Sequence, residues 1–243
     1  YRGGYGDPPR SIVHEQEPPV PGKTRPISER TIARLSLYRR LLNVLRAEGV
    51  RHVYSRQLAD LAGRTAAQVR RDLMVLGTSG SSARGYEVTE LIESLRQFLD
   101  HPAGQDAALI GVGNLGKALL THFTGRRPNL AITAAFDSDP TKANRSINQC
   151  RVWAMDRLQE ILRARDIRVA IIAVPPEAAQ EVADRLVEAG VRGILNFAPV
   201  RLRVPEGVYV EDLDMTVSLE KVAYFARDAE VAGGSEPAKD NDE

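Results

Sequence analysis

Ala107-Ala108-Leu109-Ile110 runs into Gly111-Val112-Gly113-Asn114-Leu115-Gly116, and Asp137 stands twenty-one residues beyond the last of these glycines. Each part of this stretch has a mechanical job. The apolar run suits a buried strand. Gly111 permits a tight turn after it, Gly113 lets the backbone approach a pyrophosphate, and Gly116 allows the next helix to pack closely on the strand. Unpaired N–H groups and the dipole at that helix's start favour an anion. Asp137 ends a second apolar run, Ala131-Ile132-Thr133-Ala134-Ala135-Phe136, where an acid accepts a ribose hydroxyl. Strand, glycine turn, helix and distal acid together predict a dinucleotide-binding domain.

Outward from this motif, further strands are expected at Val169–Val174, Gly193–Asn196 and Val208–Glu211, with helices at 114–123, 156–164 and 177–189. Alternating strands and helices predict a Rossmann-type parallel sheet over 105–212. Val174-Pro175 and Asn196-Phe197-Ala198-Pro199 fall at carboxyl ends of strands, where open α/β sheets bind ligands. They are expected to line the ribose and nicotinamide pocket, although the prolines also suit plain strand terminators.

The hundred residues before the motif differ in character. Of 243 residues, the first 100 carry 16 Lys+Arg against 11 Asp+Glu, and the rest carry 17 against 21. Between Arg25 and Tyr86 all 12 basic residues are arginine, whose planar donor fork suits phosphates and guanine edges. A solvated helical face explains such charge equally well. Residues 1–26 and 230–243 are rich in Gly, Pro and charge and are expected to be disordered tails.

From residue 27 to 100 the pattern is helical. Ser28 can cap a helix with apolar positions Ile32, Leu35, Leu41, Leu42 and Leu45 that ends near Gly49. Ser55 is expected to cap a short helix that stops at Gly63. Thr65 and Gln68 form a capping box for a third, Ala66 to Leu76, with Val69, Leu73 and Leu76 inward and Gln68, Arg71 and Asp72 projecting elsewhere. Two short helices joined by a glycine turn make a helix-turn-helix, whose second helix can enter the major groove. Gly77 to Tyr86 is small, polar and basic, and reads as a wing. Arg39, Ser55, Gln68, Arg70, Arg71, Arg84 and Tyr86 are the candidate DNA contacts. A fourth helix spans Glu90 to Leu99.

The longest apolar stretch is too short to span a bilayer, no signal pattern opens the chain, and the single cysteine, Cys150, allows no internal disulfide. These features predict a cytoplasmic protein. No histidine–carboxylate or lysine–tyrosine pair stands out as acid–base machinery, and few residues follow the sheet. An NAD-dependent dehydrogenase is therefore disfavoured. A regulator that senses another nucleotide, such as a coenzyme A derivative, remains open.

Arg34-Leu35-Ser36-Leu37-Tyr38, Gln68-Val69-Arg70-Arg71-Asp72-Leu73, the glycine motif, Phe136-Asp137-Ser138-Asp139-Pro140 and Gly193-Ile194-Leu195-Asn196-Phe197-Ala198-Pro199-Val200 together resemble the Rex family of redox-sensing transcriptional repressors over about residues 27–227. The resemblance implies a homodimer that binds operator double-stranded DNA and releases it when NADH occupies the nucleotide domain. It also implies that a C-terminal helix, 213–229 here, exchanges between subunits. Arg34, Tyr38, Asp214 and Met215 take interface positions, with Arg34 and Asp214 resembling an ion pair between subunits. The wing departs from the family pattern at Ser79 and Ser82. Met215 stands where Phe or Leu is usual near the nicotinamide. Asp137, with no arginine at 138 or 139, predicts NAD(H) over NADP(H).

Overall fold

Leu35, Leu42, Leu58, Val69, Leu73 and Leu95 are fully buried and form a core for the segment 29–99. The computed structural model describes residues 27–78, 80–81, 83–123 and 129–233, with side chains to 227. The expected tail 1–26 and most of the expected tail 230–243 lie outside the described residues, as do Ser79 and Ser82. The chain divides into two compact units, 1–95 and 96–243.

The first unit opens with α1 (Glu29–Ala47), whose first turn is capped by the Ser28 hydroxyl accepting from Thr31 N–H. β1 (His52–Val53), α2 (Ser55–Ala62), α3 (Ala66–Met74), β2 (Tyr86–Glu87) and α4 (Val88–Leu99) follow. β1 and β2 pair antiparallel with α2 and α3 between them in sequence, and the chain from α3 to β2 turns back on itself at an antiparallel bridge between Ser81 and Gly85. Ser81 and Gly85 exchange backbone hydrogen bonds of 2.9 and 2.7 Å within it, and Tyr54 Oη donates to Ala83 O at 2.8 Å. This is the expected wing, tied back to the start of α2.

Several local details differ from expectation. Ser55 is the first residue of α2, not its cap. The cap is Tyr54, whose N–H donates to the Gln57 side chain at 2.8 Å. The Thr65–Gln68 box is half made: Thr65 accepts from Gln68 N–H, but the Gln68 amide reaches Asp72 instead of turning back. α3 ends at Met74, because Val75 to Gly77 continue as tight turns with i→i−3 hydrogen bonds.

The second unit is a seven-stranded sheet: β3 (Gln105–Ile110), β4 (Leu130–Asp137), β5 (Ser146–Ile147), β6 (Cys150–Ala154), β7 (Val169–Ile172), β8 (Gly193–Asn196) and β9 (Tyr209–Asp212). Its order is β5-β6-β4-β3-β7-β8-β9, and every pair is parallel except β5 with β6. The order reverses at β3 and β7, which creates the crevice that binds ligands in doubly wound sheets. α5 (Asn114–Phe123), α6 (Leu158–Ala164) and α7 (Pro176–Glu188) connect the strands. Phe136, Ile172, Leu158, Leu162, Ala183 and Leu186 are fully buried between sheet and helices.

β5 and β6 were not expected from the sequence. Cys150-Arg151-Val152 alternates buried, exposed, buried after a turn in which Asn148 and Gln149 both adopt positive φ. Trp153, the chain's single tryptophan, also lies on β6, with the Arg151 guanidinium 3.9 Å from its ring centroid. β7 ends at Ile172, earlier than expected, because Pro175 and Pro176 start α7.

α8 (Met215–Gly233) closes the described chain and runs four residues past its expected end. Asp214 Oδ1 accepts from Val217 N–H at 2.9 Å and caps it. Met215, Leu219, Val222 and Phe225 are each 60–69 % exposed in the single chain.

Candidate functional site

The glycine motif builds the floor of a cavity from the backbone up. Gly111 lies at φ +94°, and a side chain there would strike Ala173 O at 2.4 Å, just past the end of neighbouring β7. A side chain on Gly116 would meet Gly111 O at 2.0 Å, so α5 sits hard against the turn. Gly113 is the opposite case, with nothing within 4 Å of where its side chain would be. The motif therefore packs tightly where it faces the protein and stays open where a pyrophosphate would approach. Asn114 begins α5 and is exposed.

Asp137 ends β4, is 7 % exposed, and is fixed by three donors. Val112 N–H donates to Oδ2 at 2.7 Å, Asp139 N–H to Oδ1 at 2.8 Å, and Lys142 Nζ to Oδ2 at 3.1 Å. The acid thus locks the glycine turn from within the sheet. Val112 is buried behind the turn, while Leu115 is half-buried and Gly116 buried on α5.

Gly111, Gly113, Asp137, Val174 and Pro175 line one cavity of about 470 Å³, within the range of small-molecule sites. Met155, Ala178 and Val182 add apolar wall suited to a purine ring. Arg185 also lines it, but its guanidinium donates to Met155 O. Glycine turn, carboxylate and apolar wall fit the adenosine diphosphate half of a dinucleotide.

Asn196, Phe197, Ala198 and Pro199 do not line this cavity. Asn196 is fully buried and spent on structure: its amide donates to Val200 O and Asp212 Oδ1 at 2.8 Å each, and its oxygen accepts from Ala198 N–H at 3.0 Å. It clamps the loop after β8. Ala198 is buried, Phe197 half-buried and Pro199 exposed.

In the first unit, Arg70 and Arg71 are exposed on α3, and Arg84 is exposed on the wing. Arg70 Nη1 donates to Ser55 Oγ at 3.1 Å, which links the two helices of the helix-turn-helix. Arg39 and Tyr86 are half-buried.

Asp72 is where sequence reasoning missed most. It does not project outward but is 2 % exposed. It accepts from Arg34 Nε at 2.6 Å, Arg34 Nη2 at 2.8 Å, Tyr38 Oη at 2.9 Å and Gln68 Nε2 at 2.8 Å. Burial pushes the Asp72 carboxyl up, but hydrogen bonds from Arg34, Gln68 and Tyr38 outweigh it and leave it below its ordinary value. Burial, then the bond to Asp72, pushes the Tyr38 hydroxyl up to about 12. Tyr38 is fully buried in its own unit, and Arg34 is turned to Asp72 in the single chain. The cluster pins α1 to α3. It also withdraws the Gln68 side chain from the helix surface toward Asp72.

The comparisons with known proteins follow this division. Residues 26–73 match the family model "putative DNA-binding protein N-terminus", and residues 104–200 match "CoA binding domain". The redox-sensing transcriptional repressor Rex of Carboxydothermus hydrogenoformans is 42 % identical over 83 % of this chain and 97 % of its own length. That of a Roseiflexus species is 41 % identical over 85 % and 94 %. The crystal structure of RSP, a Rex-family repressor, with β-NAD+ and operator DNA superposes with a TM-score of 0.77 at 32 % identity, covering 84 % of this chain and 94 % of RSP. With likeness of this extent across both the helix-turn-helix and the nucleotide sheet, the chain belongs to the Rex family of redox-sensing transcriptional repressors.

Proposed function

We propose that this chain represses transcription as a cytoplasmic homodimer that holds operator DNA when NADH is scarce and releases it when NADH occupies the cavity. Its substrate-free role is regulatory rather than enzymatic. The observation that carries the reading is the Gly111–Gly116 turn closed onto Asp137 and open at Gly113, in a chain whose other unit exposes Arg70 and Arg71 on α3. RSP has been crystallised with β-NADH as well as with β-NAD+ and operator DNA, which supports NAD(H) as the ligand. Thiol chemistry is a poor alternative sensor. Burial pushes the Cys150 thiol up to about 11, leaving little thiolate.

Arg70, Arg71, Arg84 and the wing supply phosphate and base contacts in this reading, with Ser55 setting Arg70. The apolar residues of α8 pack on a second subunit. Asp214 and Met215 then reach the partner, and Arg34 exchanges between Asp72 and Asp214 across the interface. NADH shifts DNA binding only by its differential affinity for the two states. A hundredfold preference for the DNA-free form is worth about 2.7 kcal/mol. An apolar nicotinamide pocket favours the neutral reduced ring over the cationic oxidised one.

The test is fluorescence anisotropy of labelled DNA from upstream of this protein's own gene, titrated with the full chain in the presence of NADH, NAD+, coenzyme A or no ligand. Release by NADH alone is expected. Equal release by NADH and NAD+ would remove the redox-sensing claim. Release by coenzyme A alone would favour the ligand named by the nucleotide family model.

A further inference from the structure

Asp139, Lys142, Glu181 and Arg185 are the other charged side chains that line the cavity, and dinucleotide binding by the glycine turn and Asp137 leaves the one cation paired with that acid without a role. Lys142 lines the cavity, and its Nζ lies 3.1 Å from Asp137 Oδ2 and 3.8 Å from Asp139 Oδ2. A tight turn presents it there. Thr141 donates its N–H and its hydroxyl to Asp139 Oδ1 at 2.9 and 2.7 Å, and Lys142 N–H donates to Asp139 O at 3.1 Å. The Lys142 side chain is 33 % exposed, against 8 % for Asp137. Its ammonium therefore stands between the buried carboxylate and the solvent side of the cavity.

Asp137 Oδ2 already accepts from Val112 N–H and Lys142, and Oδ1 from Asp139 N–H. A carboxylate offers about four acceptor sites, so one place remains, on Oδ1, for a ribose hydroxyl. We infer that Lys142 is a specificity-determining residue of the ribose site. It holds Asp137 in the orientation that accepts a 2′-hydroxyl, and it is itself a phosphate-binding ammonium kept occupied by Asp137. This inference rests on the NAD(H) reading of the cavity.

The charges decide its direction. Glu181 and Arg185 of the lining offset each other, and Asp137, Asp139 and Lys142 together carry one negative charge, which admits a neutral 2′-hydroxyl and repels a 2′-phosphate. Converting Asp137 to its amide removes that excess. Lys142 then keeps only a neutral amide oxygen and the longer contact to Asp139, and can turn to a phosphate, an ammonium being a common phosphate partner. Discrimination against NADP(H) thus belongs to the Asp137–Lys142 pair and not to the acid alone.

The test is calorimetric titration of the full chain with NADH and with NADPH, for the native protein, Lys142→Met, Asp137→Asn and the double variant, each checked for folding by thermal melting. The native chain should prefer NADH. Asp137→Asn should gain NADPH affinity that weakens with added salt, and Lys142→Met in that background should remove about tenfold of it. Lys142→Met alone, on a partly exposed turn that tolerates change, should weaken NADH a few-fold and NADPH more. A double variant that binds NADPH as tightly as Asp137→Asn overturns the inference. So does Lys142→Met with an unchanged NADH to NADPH ratio, which decides the matter even if Asp137→Asn does not fold. A native chain that binds neither nucleotide overturns the NAD(H) reading and this inference with it. Native NADH binding with an indifferent Lys142 overturns the inference alone.

Discussion

Each of the two units buries one aspartate, and the two are held in opposite ways. Asp72 takes all four of its hydrogen bonds from side chains on α1 and α3, so both oxygens are satisfied and the carboxylate is closed. Asp137 takes two from backbone N–H groups and one from Lys142, and one acceptor site is left at a cavity. A closed buried carboxylate joins elements of structure; one with a vacant acceptor beside a cavity can bind. Burial alone does not separate the two, since both are less than a tenth exposed. The identity of the donors does.

The comparison is broken most readily at Asp72. Asp72→Ala would leave the Tyr38 hydroxyl without its acceptor in the core of the first unit and take from the half-buried Arg34 its carboxylate, leaving it Thr31 Oγ1. Removing one partner of a buried pair costs about 3–5 kcal/mol, read as a lower urea midpoint for that unit. A loss below about 1 kcal/mol would mean that water replaces the carboxylate and the cluster is not closed.

Acid gives a smaller effect with a defined sign. The folded Asp72 carboxyl lies below its ordinary value, and the unfolded one titrates near 3.9. The unfolded chain therefore binds more protons between the two values. The stability contributed by Asp72 is complete above about pH 4 and is lost as pH falls through the folded value. Melting of the native chain from pH 6 to pH 3 should fall more steeply than that of Asp72→Asn. Parallel curves would show that Asp72 does not drive acid sensitivity.

The smallest stability effect belongs to Asp137→Asn. The amide keeps an oxygen for Val112 N–H and Lys142, and the donor it leaves unpaired, Asp139 N–H, belongs to a half-buried residue. A cost of about 1 kcal/mol or less is expected in thermal melting. A loss as large as that of Asp72→Ala would erase the distinction and make Asp137 a structural residue first.

The same contrast explains what could be read from the sequence. The glycine turn, Asp137 and most of the parallel strands are announced locally, because glycine spacing and apolar runs record backbone demands within a few residues. The cluster at Asp72 is not, since its partners Arg34 and Tyr38 lie 38 and 34 residues away. On the helix wheel alone, Asp72 reads as a solvated acid. β6 was missed because Arg151 interrupts its apolar run, although the Asn148-Gln149 turn before Cys150-Arg151-Val152 was a usable signal. Asn196 read as a ligand contact because of where it stands in the strand order. Only its three-dimensional partners reveal a clamp.

Trp153 carries a consequence of a different kind. The chain's only indole sits on β6, two residues before Met155 in the cavity wall. Reduced nicotinamide absorbs where indole emits, and oxidised nicotinamide does not. Dinucleotide bound in this cavity would therefore dim the tryptophan emission in its reduced form and leave it largely bright in its oxidised form. The molecule would report the oxidation state of its occupant as light, without any added label.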